Sequence, residues 1–155
     1  MRLALFQPDI AGNVGTLLRL GACLDIGVDL IEPMGFAFGE RAMRRAAMDY
    51  AAQVDVRRHA DFAAFLAASS GRIVLLTTAG ATPLPAMRFR ADDVLLLGSE
   101  GAGVPADVHQ RADARVRVPM RAGARSLNVA VAGAIVLGEA IRQLGAWPAD
   151  GEPTS

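Results

Sequence analysis

The sequence DVLLLGSEGAGVP, at residues 93–105, has the pattern of a buried strand followed by a glycine-rich loop. Its apolar run, Val94 to Leu97, does not alternate with polar residues, which is typical of a strand covered on both faces in a parallel sheet. The strand leads into a loop with three glycines and one carboxylate, Glu100, and Pro105 then favours the first turn of a helix. Such a loop at the carboxyl end of a strand lets backbone N–H groups approach a ligand closely.

Strand and helix patterns alternate along the rest of the chain. Strands are predicted over 2–6, 28–32, 72–78, 93–98 and 114–119, with a weaker candidate over 54–58. Helices are predicted at 13–25, 40–51, 61–68, about 105–112 and about 127–144. This alternation predicts an α/β fold, with a mostly parallel sheet flanked by helices, over residues 1–146. The polar residues 147–155 contain proline and glycine, and we expect a flexible C-terminal tail there.

Composition excludes several classes of enzyme. The chain has 155 residues, a formal net charge of +0 and 52% hydrophobic residues, which suits one domain with an ordinary core. All 16 basic residues are arginine, so P-loop and Schiff-base lysine chemistry are excluded. Cys23, His59 and His109 lie far apart, so we expect no metal site. No run of 18 apolar residues and no signal peptide are found; we expect no membrane contact and, with one cysteine, a cytoplasmic protein.

The first motif with chemical potential is Gly12-Asn-Val-Gly-Thr-Leu-Leu-Arg19, directly after the first predicted strand. Asn13 is placed to cap the helix that begins here. Gly15 and Arg19 are four residues apart on one helical face, where the glycine would clear space beside the arginine near the helix start. A guanidinium at this place suits a phosphate or another anion.

A second motif is Val116-Arg-Val-Pro-Met-Arg-Ala-Gly-Ala-Arg-Ser-Leu-Asn-Val-Ala130, where a strand ends and the long last helix begins. Ser126 is the expected N-cap of that helix. Asn128 would then lie in a helix otherwise free of polar side chains, and a buried amide needs partners, which the glycine loop or a ligand could supply. Asn13 and Asn128 are the only two asparagines of the chain.

The last helix is apolar nearly all round, so we expect it to be buried on several sides. Its second partner is predicted to be another subunit, which gives a homodimer through the first and last helices. The alternative is a central helix within a monomer. The first helix would contribute one apolar stripe: Val14, Leu17, Leu18, Gly21 and Leu24.

Three motifs now carry a family resemblance: Asn-x-Gly-x-x-x-Arg at 13–19, Gly-Ser-Glu-Gly-x-Gly at 98–103, and Val-Pro-Met with Ser-Leu-Asn-Val at 118–129. In this order and spacing they resemble the three motifs of the SpoU branch of the SPOUT methyltransferases. The resemblance covers residues 1–146. The short length and the stretches Ile31-Glu-Pro-Met-Gly-Phe36 and Arg44-Arg-Ala-Ala-Met-Asp-Tyr50 are similar to the minimal TrmL-type subgroup.

The resemblance implies a C-terminal trefoil knot, an obligatory homodimer and S-adenosylmethionine as cofactor. It implies 2′-O-methylation of the ribose of nucleotide 34, cytidine or modified uridine, in the anticodon stem-loop of tRNA. The implied cofactor-binding residues are Leu76, Thr77, Gly98, Glu100, Gly103, Val118, Met120, Ser126 and Leu127.

The resemblance implies catalytic roles for Arg19, Asn13, Glu100, Ser126 and Asn128. It assigns removal of the hydroxyl proton to Arg19, brought towards the cofactor of the other subunit. Because a guanidinium is effectively never deprotonated in proteins, the alternative is that Arg19 steadies a substrate phosphate. That phosphate, Glu100 or water would then take the proton.

Alternatives to this function remain at the sequence level. Ser99 and Ala130 depart from the subgroup pattern, so another tRNA or ribosomal RNA site stays open. A non-catalytic dimeric RNA-binding module would need the arginines but neither the glycine loop nor Asn128. Classical NAD binding would need a glycine pattern directly after the strand, which residues 101–106 do not offer.

Arginines cluster in three groups, and the third is predicted to lie in the loop beside the cofactor: Arg111, Arg115, Arg117, Arg121 and Arg125.

Overall fold

A seven-stranded parallel sheet forms the centre of the structure, a computed structural model that describes residues 1–39, 41–79 and 82–149. The strands are β1 (Arg2–Phe6), β2 (Gly27–Ile31), β3 (Val56–His59), β4 (Ile73–Leu76), β5 (Thr82–Pro83), β6 (Val94–Leu97) and β7 (Ala114–Arg117). The helices are α1 (Ala11–Leu24), α2 (Arg41–Ala47), α3 (Phe62–Ala68), α4 (Ala106–Arg111) and α5 (Val129–Leu144). All strand pairs of the described residues are parallel, in the order β3-β2-β1-β6-β4-β7-β5, which confirms the predicted α/β fold.

The predicted elements are present, with small shifts at their ends. The helix predicted over 40–51 is shorter: α2 ends at Ala47, and Met48, with a φ of +52°, begins a 3-10 helix that ends at Ala52. The sequence did not predict β5, because it has two residues and one of them, Pro83, cannot donate to the sheet. Residue 40 of the predicted helix and residues 150–155 of the predicted tail lie outside the described residues.

Two apolar cores cover the two faces of the sheet. Leu95 and Leu97 of β6 belong to the larger core with α1, α2 and α5, whereas Val94 and Leu96 belong to the smaller core with α3 and α4. All four residues of β6 are buried. Burial on both faces is the reason that this strand shows no alternation of apolar and polar residues.

Gly15 sets the distance between α1 and α2. A Cβ atom added there would lie 2.3 Å from the Met43 carbonyl oxygen and 2.7 Å from the Ala46 Cβ. The prediction that this glycine clears space beside Arg19 was therefore wrong, because the backbone of α2 fills the space. Gly133 has a similar role on α5, where a Cβ atom would lie 2.9 Å from Leu97.

The first turns of α1 and α5 correct two predicted caps. Asn128, not Ser126, is the N-cap of α5, and its Oδ1 accepts hydrogen bonds from the backbone N–H groups of Ala130 and Val131 at 2.9 and 3.2 Å. Asn128 therefore precedes the helix and is exposed, where we predicted a buried residue inside it. Asn13 does not cap α1 either, because that helix begins at Ala11 and its N-cap is Ile10.

Among the described residues, only one side of α5 is covered. Its buried side contains Gly133, Val136 and Leu137, whereas Val131 and Ile135 on the other side are 48% and 41% exposed. A Cβ atom added at Gly138 would meet nothing within 4 Å. The described part of this single chain therefore does not supply the burial predicted on several sides.

The amino-terminal edge of the sheet is closed by ion pairs. Arg2 donates to the buried Asp29 and to Asp55, at 2.5 Å each, and these partners raise the pKa of Arg2. Arg72 forms a bidentate pair with the buried Asp93. Arg2 and Arg72 are thus paired at this edge, where a cavity of about 170 Å³ lies, whereas the larger cleft lies at the carboxyl-terminal edge.

Candidate active site

A cleft of about 720 Å³ lies at the carboxyl ends of β1, β4, β6 and β7. The chain order of the sheet reverses between β1 and β6, and ligands of open α/β sheets bind where the order reverses. The volume is within the ordinary range of small-molecule pockets, about 300–1,000 Å³. Residues from distant parts of the chain line the cleft, among them Asn13, Leu76, Glu100, His109, Val118 and Leu127.

The loop after β6 forms a narrow hairpin at one side of the cleft. Ser99 and Gly103 exchange two backbone hydrogen bonds, both 2.9 Å long. A Cβ atom added at Gly98 would lie 2.6 Å from the Gly103 carbonyl carbon, and Gly103 itself has a φ of +68°. Both glycines are therefore required by the backbone, and all residues of the hairpin, 98–103, line the cleft.

A chain of hydrogen bonds joins the first motif, the glycine loop and the start of α5. The Asn128 Nδ2 group donates to the Asn13 Oδ1 at 3.0 Å, and the Asn13 Nδ2 group donates to the Glu100 Oε1 at 2.9 Å. The two asparagines, 115 positions apart, are thus in direct contact. The structure supports the interpretation that both lie at one site.

Asp9 extends this network, and sequence reasoning did not find it. Its backbone N–H donates to the Glu100 Oε2 at 2.7 Å, and its carboxylate accepts from the Gly101 N–H at 3.2 Å. Asp9 thereby fixes the loop after β1 to the glycine hairpin. The only signal in the sequence is its place after Pro8, four residues before Asn13.

The opposite wall of the cleft is apolar. Leu76, Val116, Val118 and Leu127 all line it. Leu127 is 38% exposed in this chain and thus has apolar surface to cover. Such a slot suits a flat, largely apolar ring held by main-chain groups.

His109 also lines the cleft and was not predicted as a site residue. Its Nδ1 accepts a hydrogen bond from the Arg115 Nε–H at 3.1 Å, and Arg115 also donates to the His109 carbonyl oxygen. The His109 Nε2 atom is buried and has no hydrogen-bond partner, which holds for no other side-chain N or O atom in the part of the chain that the structure describes.

Arg19 lies apart from the other candidate residues. It is the ninth residue of α1, where we predicted a place near the helix start, and it does not line the cleft. Its Nη1 atom is 3.1 Å from the Met48 Sδ, and its guanidinium carbon is 5.4 Å from the centre of the Tyr50 ring.

Most predicted site residues come together. The nine residues predicted to bind a cofactor all line the cleft, as do Asn13 and Asn128. The third arginine group is divided, because Arg115 contacts His109 and Arg111 belongs to α4. Of that group, Arg121 and Arg125 lie exposed in the loop after β7.

In the described ranges, no group of three His, Cys, Asp or Glu side chains could hold a metal ion, and no helix is long and apolar enough to span a membrane.

Comparison with known proteins identifies the class. The chain belongs to the SpoU rRNA Methylase family, whose model matches residues 1–138. It is 55% identical over 147 residues to a tRNA (cytidine(34)-2′-O)-methyltransferase of Beijerinckia indica, which covers 93% of this chain and 92% of the relative.

Solved structures agree with this class. A structure described as giving insights into the 2-OH methylation of C/U34 on tRNA has a TM-score of 0.89 and 40% identity, over 93% of this chain and 95% of the other. An AdoMet-bound rRNA methyltransferase of Sinorhizobium meliloti has a TM-score of 0.82 and 30% identity, over 92% of this chain and 56% of the other.

Proposed function

We propose that this chain transfers a methyl group from S-adenosylmethionine to the ribose 2′-hydroxyl of nucleotide 34, cytidine or modified uridine, in tRNA. The observation that carries the proposal is the Asn128–Asn13–Glu100 chain of hydrogen bonds at a cleft of suitable size, in a chain 55% identical to a relative that is named for this reaction.

The residues of the cleft fit the cofactor. The apolar slot between Leu76, Val118 and Leu127 suits an adenine ring, and the hairpin of Gly98–Gly103 suits close contact with backbone groups. The unpartnered Nε2 of His109 is a polar atom that a polar ligand could satisfy. When bound, the cofactor supplies a methyl group activated by its positively charged sulfur.

The chain then needs to orient the substrate, and correct orientation can supply about 7–11 kcal/mol of a barrier. Both carboxylate oxygens of Glu100 already accept hydrogen bonds, from Asn13 and from the Asp9 backbone. Glu100 is therefore better suited to hold these groups in place than to take the hydroxyl proton. A substrate phosphate or water then accepts the hydroxyl proton. Ser126, which is exposed and lines the cleft, contacts the substrate.

Arg19 acts in this proposal from the second subunit of a homodimer. It is exposed and outside the cleft of its own chain, and Val131 and Ile135 leave an apolar face of α5 uncovered. Pairing through α1 and α5 would cover that face and bring Arg19 towards the partner's cleft, where it holds a phosphate near the reacting hydroxyl. The trefoil knot and the cytoplasmic location stay predictions.

The experiment uses the purified chain, labelled S-adenosylmethionine and an unmodified tRNA. We expect a 2′-O-methyl group at nucleotide 34, located by mass spectrometry of nuclease fragments. The matched control is the same tRNA with a 2′-deoxynucleotide at position 34, which lacks only the acceptor oxygen and accepts no methyl group. Label at another nucleotide, or equal label in the deoxy substrate, would contradict the proposal.

A further inference from the structure

We propose that His109 binds the cofactor: its Nε2–H donates a hydrogen bond to an acceptor atom of bound S-adenosylmethionine, and Arg115 fixes the tautomer that makes this possible. The inference rests on the proposed function, because it takes S-adenosylmethionine as the ligand of the cleft. None of the three sequence motifs contains His109.

The tautomer follows from the contact with Arg115. A guanidinium only donates hydrogen bonds, so the His109 Nδ1, 3.1 Å from the Arg115 Nε, is the acceptor and carries no proton. The proton of the neutral ring must then lie on Nε2. The second contact, from Arg115 to the His109 carbonyl oxygen, holds the guanidinium in place.

The Nε2–H group is thus a buried donor without an acceptor. Leaving such a group unsatisfied is unfavourable, so buried polar atoms nearly always have a partner. His109 is also part of the cleft wall. A ligand in the cleft with oxygen or ring-nitrogen acceptors could satisfy the donor, and an imidazole held in one tautomer adds direction to the contact.

Calorimetry with S-adenosylhomocysteine and no RNA tests the contribution to affinity. His109→Leu removes the donor, and we expect the dissociation constant to rise roughly three- to tenfold, as for one neutral hydrogen bond. His109→Gln keeps an N–H donor at nearly the same place and should bind within about twofold of the unaltered chain. Gln110→Leu, on the exposed neighbour in α4, is the matched control and should change nothing.

Nuclear magnetic resonance on the unaltered chain tests the contact itself and does not depend on any variant folding. The chain has two histidines, and His59 contacts the buried Asp29, so each ring is identified easily. We expect His109 as the Nε2–H tautomer in the free chain, and its Nε2–H signal should shift on saturation with S-adenosylhomocysteine while that of His59 stays.

The outcomes separate the two proposals. An unaltered chain that binds no S-adenosylhomocysteine and no S-adenosylmethionine would overturn the proposed function and this inference together. Normal binding with an unmoved His109 signal, or equal affinity of His109→Leu, would overturn the inference alone. Loss of affinity in His109→Leu and in His109→Gln alike would assign the effect to packing and would also overturn it.

Discussion

At the scale of single residues, Gly98 and Gly101 belong to one loop but meet different surroundings. A Cβ atom at Gly98 would overlap the backbone of Gly103, at 2.6 Å, whereas one at Gly101 would lie 3.5 Å from the Asp9 carboxylate in ordinary contact. We expect Gly98→Ala to open the hairpin and weaken cofactor binding roughly tenfold or more, the effect of a strain of about 1–3 kcal/mol. Gly101→Ala is the control and should bind almost normally by calorimetry. Equal affinities would show that the hairpin does not hold the cofactor.

Asp9 contributes one acceptor and one donor, and they can be separated. Asp9→Ala removes the acceptor for the Gly101 N–H but keeps the backbone N–H that binds Glu100. We expect the KM for S-adenosylmethionine to rise about three- to tenfold, with a smaller change in kcat, because one hydrogen bond to the loop is lost. Asp9→Asn retains a carbonyl oxygen and should restore most of the affinity. If the KM of Asp9→Asn is as high as that of Asp9→Ala, the negative charge of Asp9, and not its hydrogen bond to the Gly101 N–H, supports cofactor binding.

At the scale of elements, the contact between α1 and α2 depends on Gly15. Gly15→Ala places a methyl group against the Met43 carbonyl oxygen, so we expect a loss of about 1–3 kcal/mol in the free energy of unfolding. Gly12→Ala, in the same helix but with nothing within 4 Å, should be neutral or stabilising by up to about 1 kcal/mol. Urea denaturation at one protein concentration measures both. A stable Gly15→Ala variant would mean that α2 moves away freely.

The elements also show how far the sequence alone leads. Buried strands such as β6 were predicted correctly because burial on both faces leaves a continuous apolar run. The N-cap of α5 was predicted wrongly, because serine and asparagine are both good N-caps and Ser126 and Asn128 are close in sequence. The contact of Asn128 with Asn13, on a helix distant in sequence, was not visible from the sequence. Asp9 was missed because its partner Gly101 is 92 positions away in the sequence. His109 was missed because only the fold buries its Nε2 atom and makes the residue part of the cleft wall.

Gly15 is a second case in which the sequence alone could not predict a contact between distant elements. Its spacing from Arg19 predicted open space beside the arginine, and this was wrong. The sequence could not indicate that α2 fills the opening, because that depends on where a separate element packs. The spacing of residues along one helix can therefore be predicted from the sequence. The element that packs against that helix depends on the tertiary structure.

At the scale of the whole molecule, the proposed homodimer would place Arg19 and the cleft of one active site on different chains. At a concentration of S-adenosylmethionine far below the dissociation constant of Gly98→Ala, Arg19→Ala and Gly98→Ala should each be nearly inactive alone. Mixed after exchange of subunits, they should recover about a quarter of the normal activity, because half of the dimers then contain one intact site. Methylation of tRNA by the mixture measures this. Mass spectrometry verifies that the subunits have exchanged. If the mixture then recovers no activity, Arg19 either acts at the cleft of its own chain or has no role in methyl transfer.

The distribution of charge leads to a last prediction. At the amino-terminal edge, arginines such as Arg2 and Arg72 are paired with carboxylates. Arg41, Arg44 and Arg45 of α2 are exposed and form no ion pair with another described residue, and α2 packs on α1 two residues from Asn13 of the cleft. A net charge of zero therefore does not describe the local field around α2, where these exposed arginines can bind RNA phosphates.

If Arg44 binds a phosphate, Arg44→Gln should weaken tRNA binding and reduce the slope of log affinity against log salt concentration by about 0.7–0.9. Arg142→Gln changes the net charge equally, but Arg142 is paired with Glu139 at 2.8 Å and lies about 20 Å along α5 from Asn128, at 1.5 Å per residue. We expect that control to leave the slope unchanged in filter-binding measurements. Equal changes in both variants would mean that tRNA responds to net charge alone, and α2 would then not be part of the binding surface.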